Sequence, residues 1–168
     1  MTKSSIRQQM IQKRANVKDA LSLDSIQNQT LEILKDFDSI GLYVSFNDEI
    51  DTYFLISEML KLNKTIGIPK IINKEMKLYK LENLKDLQTG FFNVMEPISM
   101  EEVIPECIVV PLLAFNSRNY RIGYGGGYYD RYLKDKTMFK IGMAYSFMKT
   151  EFTEDEYDVP LDRFVTEK

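Results

Sequence analysis

Apolar residues recur along this chain with two alternating periods, one close to a helical turn and one of two residues. Ile6, Met10, Val17 and Leu21 fall at roughly helical spacing and predict a helix over residues 3–20. A second helix is predicted from Asp24 to Phe37, with Ile26, Leu31 and Leu34 turned inward. The period then shortens, and Ile40, Leu42, Val44 and Phe46 occupy alternate positions as a strand requires. Asn47 and Asp48 are cap candidates for a third helix carrying Ile50, Phe54, Leu55, Met59 and Leu62, with Glu49 in its first turn. Short strands are predicted at Thr65–Ile68 and Met76–Leu81, a buried central strand at Ile108–Val110, and a last one at Phe139–Tyr145. A further helix is predicted over Tyr128–Lys134.

Alternation of elements this size implies an α/β sandwich, a largely parallel or mixed central sheet flanked by helices. With no internal repeat, low-complexity run or linker, residues 1–168 are expected to form one domain. Ligands gather at the carboxyl ends of strands in such sheets. Two polar clusters follow strand candidates and so fall on one rim: Asn47–Glu49 and a glycine-rich segment after the apolar run Cys107–Phe115.

That segment is Arg121-Ile122-Gly123-Tyr124-Gly125-Gly126-Gly127-Tyr128-Tyr129-Asp130-Arg131, which holds half of the chain's eight glycines. Glycine costs conformational entropy, so the cluster needs a cause. Close approach of backbone N–H groups to an anion supplies one, with flanking arginines adding charge and Asp130 available to a divalent cation. An ordinary mobile turn is the competing account. The segment matches neither common nucleotide fingerprint: no G-x-x-x-x-G-K-[ST] occurs, and Tyr128 stands where G-x-G-x-x-G needs its last glycine.

Composition narrows the chemistry. The net charge of −3 argues against a general nucleic-acid binder. No run of eighteen apolar residues and no signal-peptide pattern occur, so a cytoplasmic protein without a membrane partner is expected. The single cysteine, Cys107, lies in an apolar run and reads as a core thiol. Histidine is absent, which excludes Ser-His-Asp, Cys-His and histidine-ligated zinc chemistry. Any metal must then be a hard cation held by carboxylates, water or substrate phosphates, which points to magnesium.

Lys3, Arg7 and Arg14 share one stripe of the first helix, either a solvated basic face or a surface for a polyphosphate. Glu49 either stabilises a helix dipole or binds the N–H groups of a heterocycle. Most of the acidic stretch Glu151–Asp158 reads as solvated, although Asp158 could join Asp130 around magnesium.

The stretch Pro111–Leu133, with the glycine segment at its centre, resembles the signature of the 5-formyltetrahydrofolate cyclo-ligase family. The likeness continues in order along almost the whole chain: Lys3–Arg14, Tyr43–Thr52, Ile68-Pro69-Lys70, Glu96-Pro97 and Asp158–Glu167. The resemblance implies ATP-dependent conversion of 5-formyltetrahydrofolate to 5,10-methenyltetrahydrofolate, with ADP and phosphate released, and it implies roles for the matched positions. ATP would contact Lys3, Arg7, Arg121, Ile122, Gly123, Tyr124, Gly125, Gly126, Gly127, Tyr128 and Tyr129. Folate would contact Val44, Glu49 and the loop from Tyr124 to Tyr128, and magnesium would be held by Asp130 and Asp158. Arg121, Tyr128 and Asp130 are expected at the reacting groups, in a monomer acting on small molecules. Val44 alone reads as a core strand residue, Tyr128 and Tyr129 as either packing or site aromatics, and Arg131 as a phosphate or helix-surface residue. Asn93 and Asn119 stand where the family has glycine, Asn116 where it has aspartate, Met148 for glutamine and Tyr157 for histidine. A catalytically silent binding module and an RNA-binding protein using Arg121, Arg131 and the tyrosines are the readings from other classes.

Overall fold

The computed structural model describes residues 1–168. The chain starts with α1 (Lys3–Ala15) and α2 (Ala20–Leu34), then β1 (Ser39–Leu42), α3 (Tyr53–Lys61) and a hairpin of β2 (Thr65–Ile72) and β3 (Glu75–Leu81). A small arm follows, β4 (Leu87–Thr89) and β5 (Met95–Pro97). Next come β6 (Cys107–Val110), a two-residue ribbon of β7 (Ala114–Phe115) and β8 (Arg121–Ile122), then α4 (Tyr128–Leu133), β9 (Phe139–Met143) and β10 (Arg163–Val165).

Six strands form a mixed central sheet in the order β10-β9-β6-β1-β2-β3, all parallel but the edge strand β3. From β1 the chain first adds β2 on one side and later β6 on the other. The order therefore reverses between β1 and β6, and the segments leaving their carboxyl ends diverge around a crevice. Alternate residues of β6 face opposite cores. Cys107 and Val109 join the large cluster that includes Ile6 and Met10 of α1, Ile26 and Leu34 of α2, and Leu55 and Met59 of α3. Ile108 and Val110 join a smaller one with Tyr132 and Leu133 of α4. The sheet is thus covered on both faces, as parallel strands with apolar runs require.

Local chemistry sets where elements end, and here several sequence expectations need correction. The helix over 3–20 stops at Ala15, because the Asn16 N–H turns back to the carbonyls of Lys13 and Arg14. Asp19 then caps a new helix by accepting the Ser22 N–H at 3.1 Å, so α2 starts before Asp24 and ends at Leu34. Val17 falls in the connection, and Leu21 is 82% exposed on the outer side of α2. The strand over Ile40–Phe46 ends at Leu42 because Thr52 captures the departing chain: its hydroxyl donates to the Tyr43 carbonyl at 2.6 Å and accepts from the Ser45 N–H at 3.0 Å. Thr52 also takes the N-cap position, so Asn47 and Asp48 lie in a turn, with Asn47 at φ 52°. Ile50 precedes α3, Leu62 is its C-cap, and Phe54 is partly exposed. The strand begun at Thr65 runs on to Ile72 because Asn73 and Lys74, both at positive φ, close a two-residue turn into β3. The last predicted strand stops at Met143, and the short edge strand β10 carried no sequence signal.

Two departures from the family pattern have a conformational cause. Asn93 and Asn119 adopt φ 58° and 66°, the left-handed region in which asparagine is the usual substitute for glycine. Met148 also keeps a local bond, its sulfur accepting from the Tyr145 N–H at 3.3 Å.

Ile108 is 1% exposed between β1 and β9, so Ile108→Ala leaves a cavity in the centre of the sheet. The expected loss is about 2–5 kcal/mol. Urea unfolding monitored by circular dichroism checks it, with the denaturant slope unchanged.

Candidate functional site

The crevice between the carboxyl ends of β1 and β6 opens into a cleft of about 720 Å³. Size and position are those of a small-molecule site in an open α/β sheet. One wall is α1, one is the segment after β1, and the floor is the glycine loop between β8 and α4. Every residue assigned a site role from the sequence lines this one cleft: Lys3, Arg7, Val44, Glu49, the run from Arg121 to Asp130, and Asp158.

The basic stripe of α1 is not a solvated face. Arg7 Nε donates to the Gly123 carbonyl at 2.8 Å. Arg14, 6% exposed, donates to the Leu112 carbonyl at 3.1 Å and to the Tyr124 hydroxyl. Lys3 Nζ lies 2.7 Å from Asp155 and 2.5 Å from Asp158. Burial alone would lower the Lys3 pKa, but hydrogen bonds to those two carboxylates outweigh it and raise it.

The glycine loop owes its shape to two residues. Gly125 and Gly127 adopt φ 103° and 71°, and Gly127 leads directly into α4. Gly123 faces open space: a Cβ there would meet nothing within 4 Å, leaving room for a ligand against the backbone. Arg131 braces the loop from outside, donating to the Gly126 carbonyl at 2.9 Å and lying over the Tyr128 ring. Arg121, 6% exposed, pairs with Asp130 at 2.9 Å, and its Nε has no protein partner.

Glu49 sits in the turn after β1, not in the first turn of α3, so it cannot serve that helix dipole. One of its oxygens accepts the Phe46 N–H at 2.8 Å. Burial is the main cause that raises its pKa, opposed by that hydrogen bond and by Arg14. Burial and the charge of Glu49 together push Tyr124 up to about 12, and raise Tyr43 and Tyr129 as well. Val44 is buried in the adjoining wall, just beyond the end of β1. Burial also pushes the Cys107 thiol up to about 12, in keeping with a core role.

Asp130 and Asp158 offer hard oxygen donors of the type magnesium prefers. Asp130 Oδ1 accepts from Arg121 and from the Val159 N–H at 3.1 Å, while Asp158 Oδ2 accepts from Lys3 and from the Asp155 N–H. No three acidic, histidine or cysteine side chains converge on a point. The donor set therefore fits a cation that completes its shell with phosphate oxygens and water, not a closed protein cage.

Sequence reasoning missed the apolar wall opposite the loop, formed by Phe91, Phe92, Pro69, Ile71, Met76 and Met95. Phe91 and Phe92 stack edge to face at 4.3 Å on a turn in which Phe92 and Asn93 both have positive φ. Asn93 in a glycine position was the available signal.

A cleft of this build, with cations, carboxylates and a pliable backbone loop at a switch point, marks an α/β protein that handles anionic small molecules. Comparison with known proteins makes the class specific. The family model for the 5-formyltetrahydrofolate cyclo-ligase family matches residues 1–167. A 5-formyltetrahydrofolate cyclo-ligase of Mycoplasma genitalium is 36% identical, covering 97% of this chain and 96% of the relative. The structure of a 5,10-methenyltetrahydrofolate synthetase from Mycoplasma pneumoniae covers both chains completely, with a TM-score of 0.82 at 30% identity. The NMR structure of the Aquifex aeolicus 5,10-methenyltetrahydrofolate synthetase covers all of this chain and 91% of its own, with a TM-score of 0.84 at 35% identity. The chain belongs to the 5-formyltetrahydrofolate cyclo-ligase family, and is an enzyme of that family.

The loop geometry separates two glycines by their expected response to a methyl group. Gly127→Ala places alanine at positive φ, with its Cβ 2.7 Å from Arg131, and is expected to cost about 1–2 kcal/mol. Gly123→Ala meets no protein atom and should change stability by less than about 0.5 kcal/mol while weakening ligand binding. Thermal unfolding and nucleotide titration of the two variants check both halves.

Proposed function

We propose that this protein catalyses the ATP- and magnesium-dependent closure of 5-formyltetrahydrofolate to 5,10-methenyltetrahydrofolate, releasing ADP and phosphate. It would act as a single-domain monomer on small molecules, without a nucleic-acid or membrane partner. The observation that carries this reading is that the glycine loop, the cations Lys3, Arg7 and Arg121 and the half-buried Glu49 line a single cleft. Both ends of the reaction are stated in the relatives' names.

An N-formyl group is an amide, whose carbon is a weak electrophile and whose oxygen leaves poorly. In the proposed reaction that oxygen attacks the γ-phosphorus of ATP, forming an O–P bond as the bond to the β-phosphate oxygen breaks and ADP departs. Folate N10 then attacks the activated formyl carbon and gives up its proton, and the C–O bond to phosphate breaks. Both nucleophiles belong to the substrate, so the protein contributes positioning and charge stabilisation.

Lys3, Arg7 and Arg121 gather the phosphate oxygens, and the backbone of Ile122–Gly127 lies against them. Asp130 and Asp158 would hold magnesium, which when bound neutralises phosphate charge. Glu49 accepts N–H groups of the pterin ring, while Val44, Tyr124 and Tyr128 pack its reacting end. Tyr129, its ring beneath the Arg121 guanidinium, supports the floor. Lys3 and Arg121 are already paired with carboxylates, so their pairing must rearrange when the nucleotide arrives.

The deciding experiment mixes protein, 5-formyltetrahydrofolate, magnesium and ATP and follows the near-ultraviolet absorbance of the methenyl product. Product in the complete mixture alone supports the reading; folded protein that binds ATP without forming product refutes it. Asp130→Asn is the informative variant, since alanine would strand the buried Arg121 guanidinium without a partner. Its amide oxygen keeps an acceptor for Arg121 but not the counter-charge, so it is expected to stay folded with a lowered thermal midpoint and to lose turnover by about 100- to 1000-fold. For Glu49→Gln, the KM for folate should rise by roughly tenfold or more while ATP affinity changes by less than about twofold. An unchanged folate KM and kcat would remove Glu49 from the site.

A further inference from the structure

Arg14 is the one residue of the α1 stripe to which the nucleotide and folate roles above assign nothing. It is also the most enclosed cation of that stripe, and a guanidinium so buried needs both hydrogen-bond acceptors and a counter-charge. Its acceptors are the Leu112 carbonyl, where the chain leaves β6, and the Tyr124 hydroxyl, in the glycine loop. The guanidinium also lies 5.8 Å from the centre of the Tyr124 ring. No carboxylate makes an ion pair with it. Its positive charge acts on Glu49, which lines the same cleft on the segment after β1. Its Nε is buried without a partner.

We propose that Arg14 is a positioning residue for the folate half of the reaction: it fixes Tyr124 at the reacting end and supplies the positive charge that Glu49 faces. The proposal rests on the folate role of Glu49. Tyr124 is 52% exposed, so without that anchor its ring would be free to swing from the loop into solvent. The groups facing Glu49 are Arg14 from α1, Tyr43 from the end of β1, Tyr124 from the glycine loop and Tyr129 from α4. Arg14 is the only cation among them. The three tyrosines have raised pKa values and are neutral near pH 7, so they leave the balance of charge to Arg14. Loss of that charge favours protonation of Glu49, and the ionised form then disappears at a higher pH than in the parent protein.

The test measures folate KM, kcat and ATP affinity from pH 5 to 8 in the parent, Arg14→Met, Arg14→Lys and Tyr124→Phe proteins. Arg14→Met is expected to raise the folate KM by roughly tenfold or more. The acidic limb of its folate binding should move to higher pH, and ATP affinity should change by less than about threefold. Arg14→Lys should restore the limb, because it restores charge, but not the full KM, because its single nitrogen cannot reproduce the fork that reaches both Leu112 and Tyr124. A residue that merely packed α1 against the loop would leave the limb in place. An unmoved limb with an unchanged folate KM in folded Arg14→Met overturns the proposal. If Arg14→Met fails to fold, the cycle of Arg14→Lys and Tyr124→Phe decides: their effects on folate KM should depart from multiplicativity by about threefold or more, and independent effects overturn it. Parent protein that does not bind 5-formyltetrahydrofolate refutes the folate reading itself, an outcome distinct from both.

Discussion

A guanidinium buried as deeply as that of Arg121 must meet a carboxylate, because desolvating an unanswered charge costs several kcal/mol. It meets Asp130 nine residues later, and that pair closes the glycine loop on itself. The same Asp130 oxygen accepts the Val159 N–H, tying the loop to the segment that leads into β10. Lys3 repeats the arrangement from the other end of the chain, joining α1 to Asp155 and Asp158. The cleft is therefore assembled by opposite charges drawn from distant parts of the sequence. Each group so used is one that a polyphosphate and its cation would also want.

The apolar frame makes that assembly geometrically possible. β1 and β6 run side by side in parallel, so the segments following them leave from the same edge. Ile40, Leu42, Cys107 and Val109 fasten them to the helices on one face, and Ile108 and Val110 to α4 on the other. Because β6 is held from both faces and β1 lies hydrogen-bonded between it and β2, the loops they launch can be irregular without loss of aim. At the outer edge, β3 is met by residues 101–103 through the Lys80 N–H to Glu101 carbonyl and Val103 N–H to Leu78 carbonyl bonds. That addition covers much of the free edge of the sheet.

The periodic parts of the chain were legible. β6 and α4 declare themselves as a continuous apolar run and a helix behind a glycine cluster, and the α/β architecture follows from alternation alone. What periodicity could not show was where a side chain interrupts an element. Asp19 splits one apparent helical run by capping a new helix, and Thr52 ends a strand by capturing the Tyr43 carbonyl just beyond it. Both act through side-chain hydrogen bonds that leave the hydrophobic spacing undisturbed. The glycine loop stood out in the sequence because positive φ has a compositional mark. Arg14, by contrast, has the same spacing as an exposed basic residue, and only its seat between Leu112 and Tyr124 distinguishes it. The Phe91–Phe92 wall was harder to see because the positive φ of its turn falls on Phe92 and Asn93, not on glycine.

The contacts of α1 also bear on how the chain becomes active during synthesis. The bonds from this helix reach 98 residues ahead to Leu112, 116 to Gly123 and 155 to Asp158. Loops of that length close slowly compared with the formation of a helix. Helix α1 thus leaves the ribosome well before the residues that seat it, and finds its place only after they follow. Until then the strands can pair and the core can form, but the binding cleft lacks a wall. Completion of the cleft is in this way tied to the synthesis of residues 112–158.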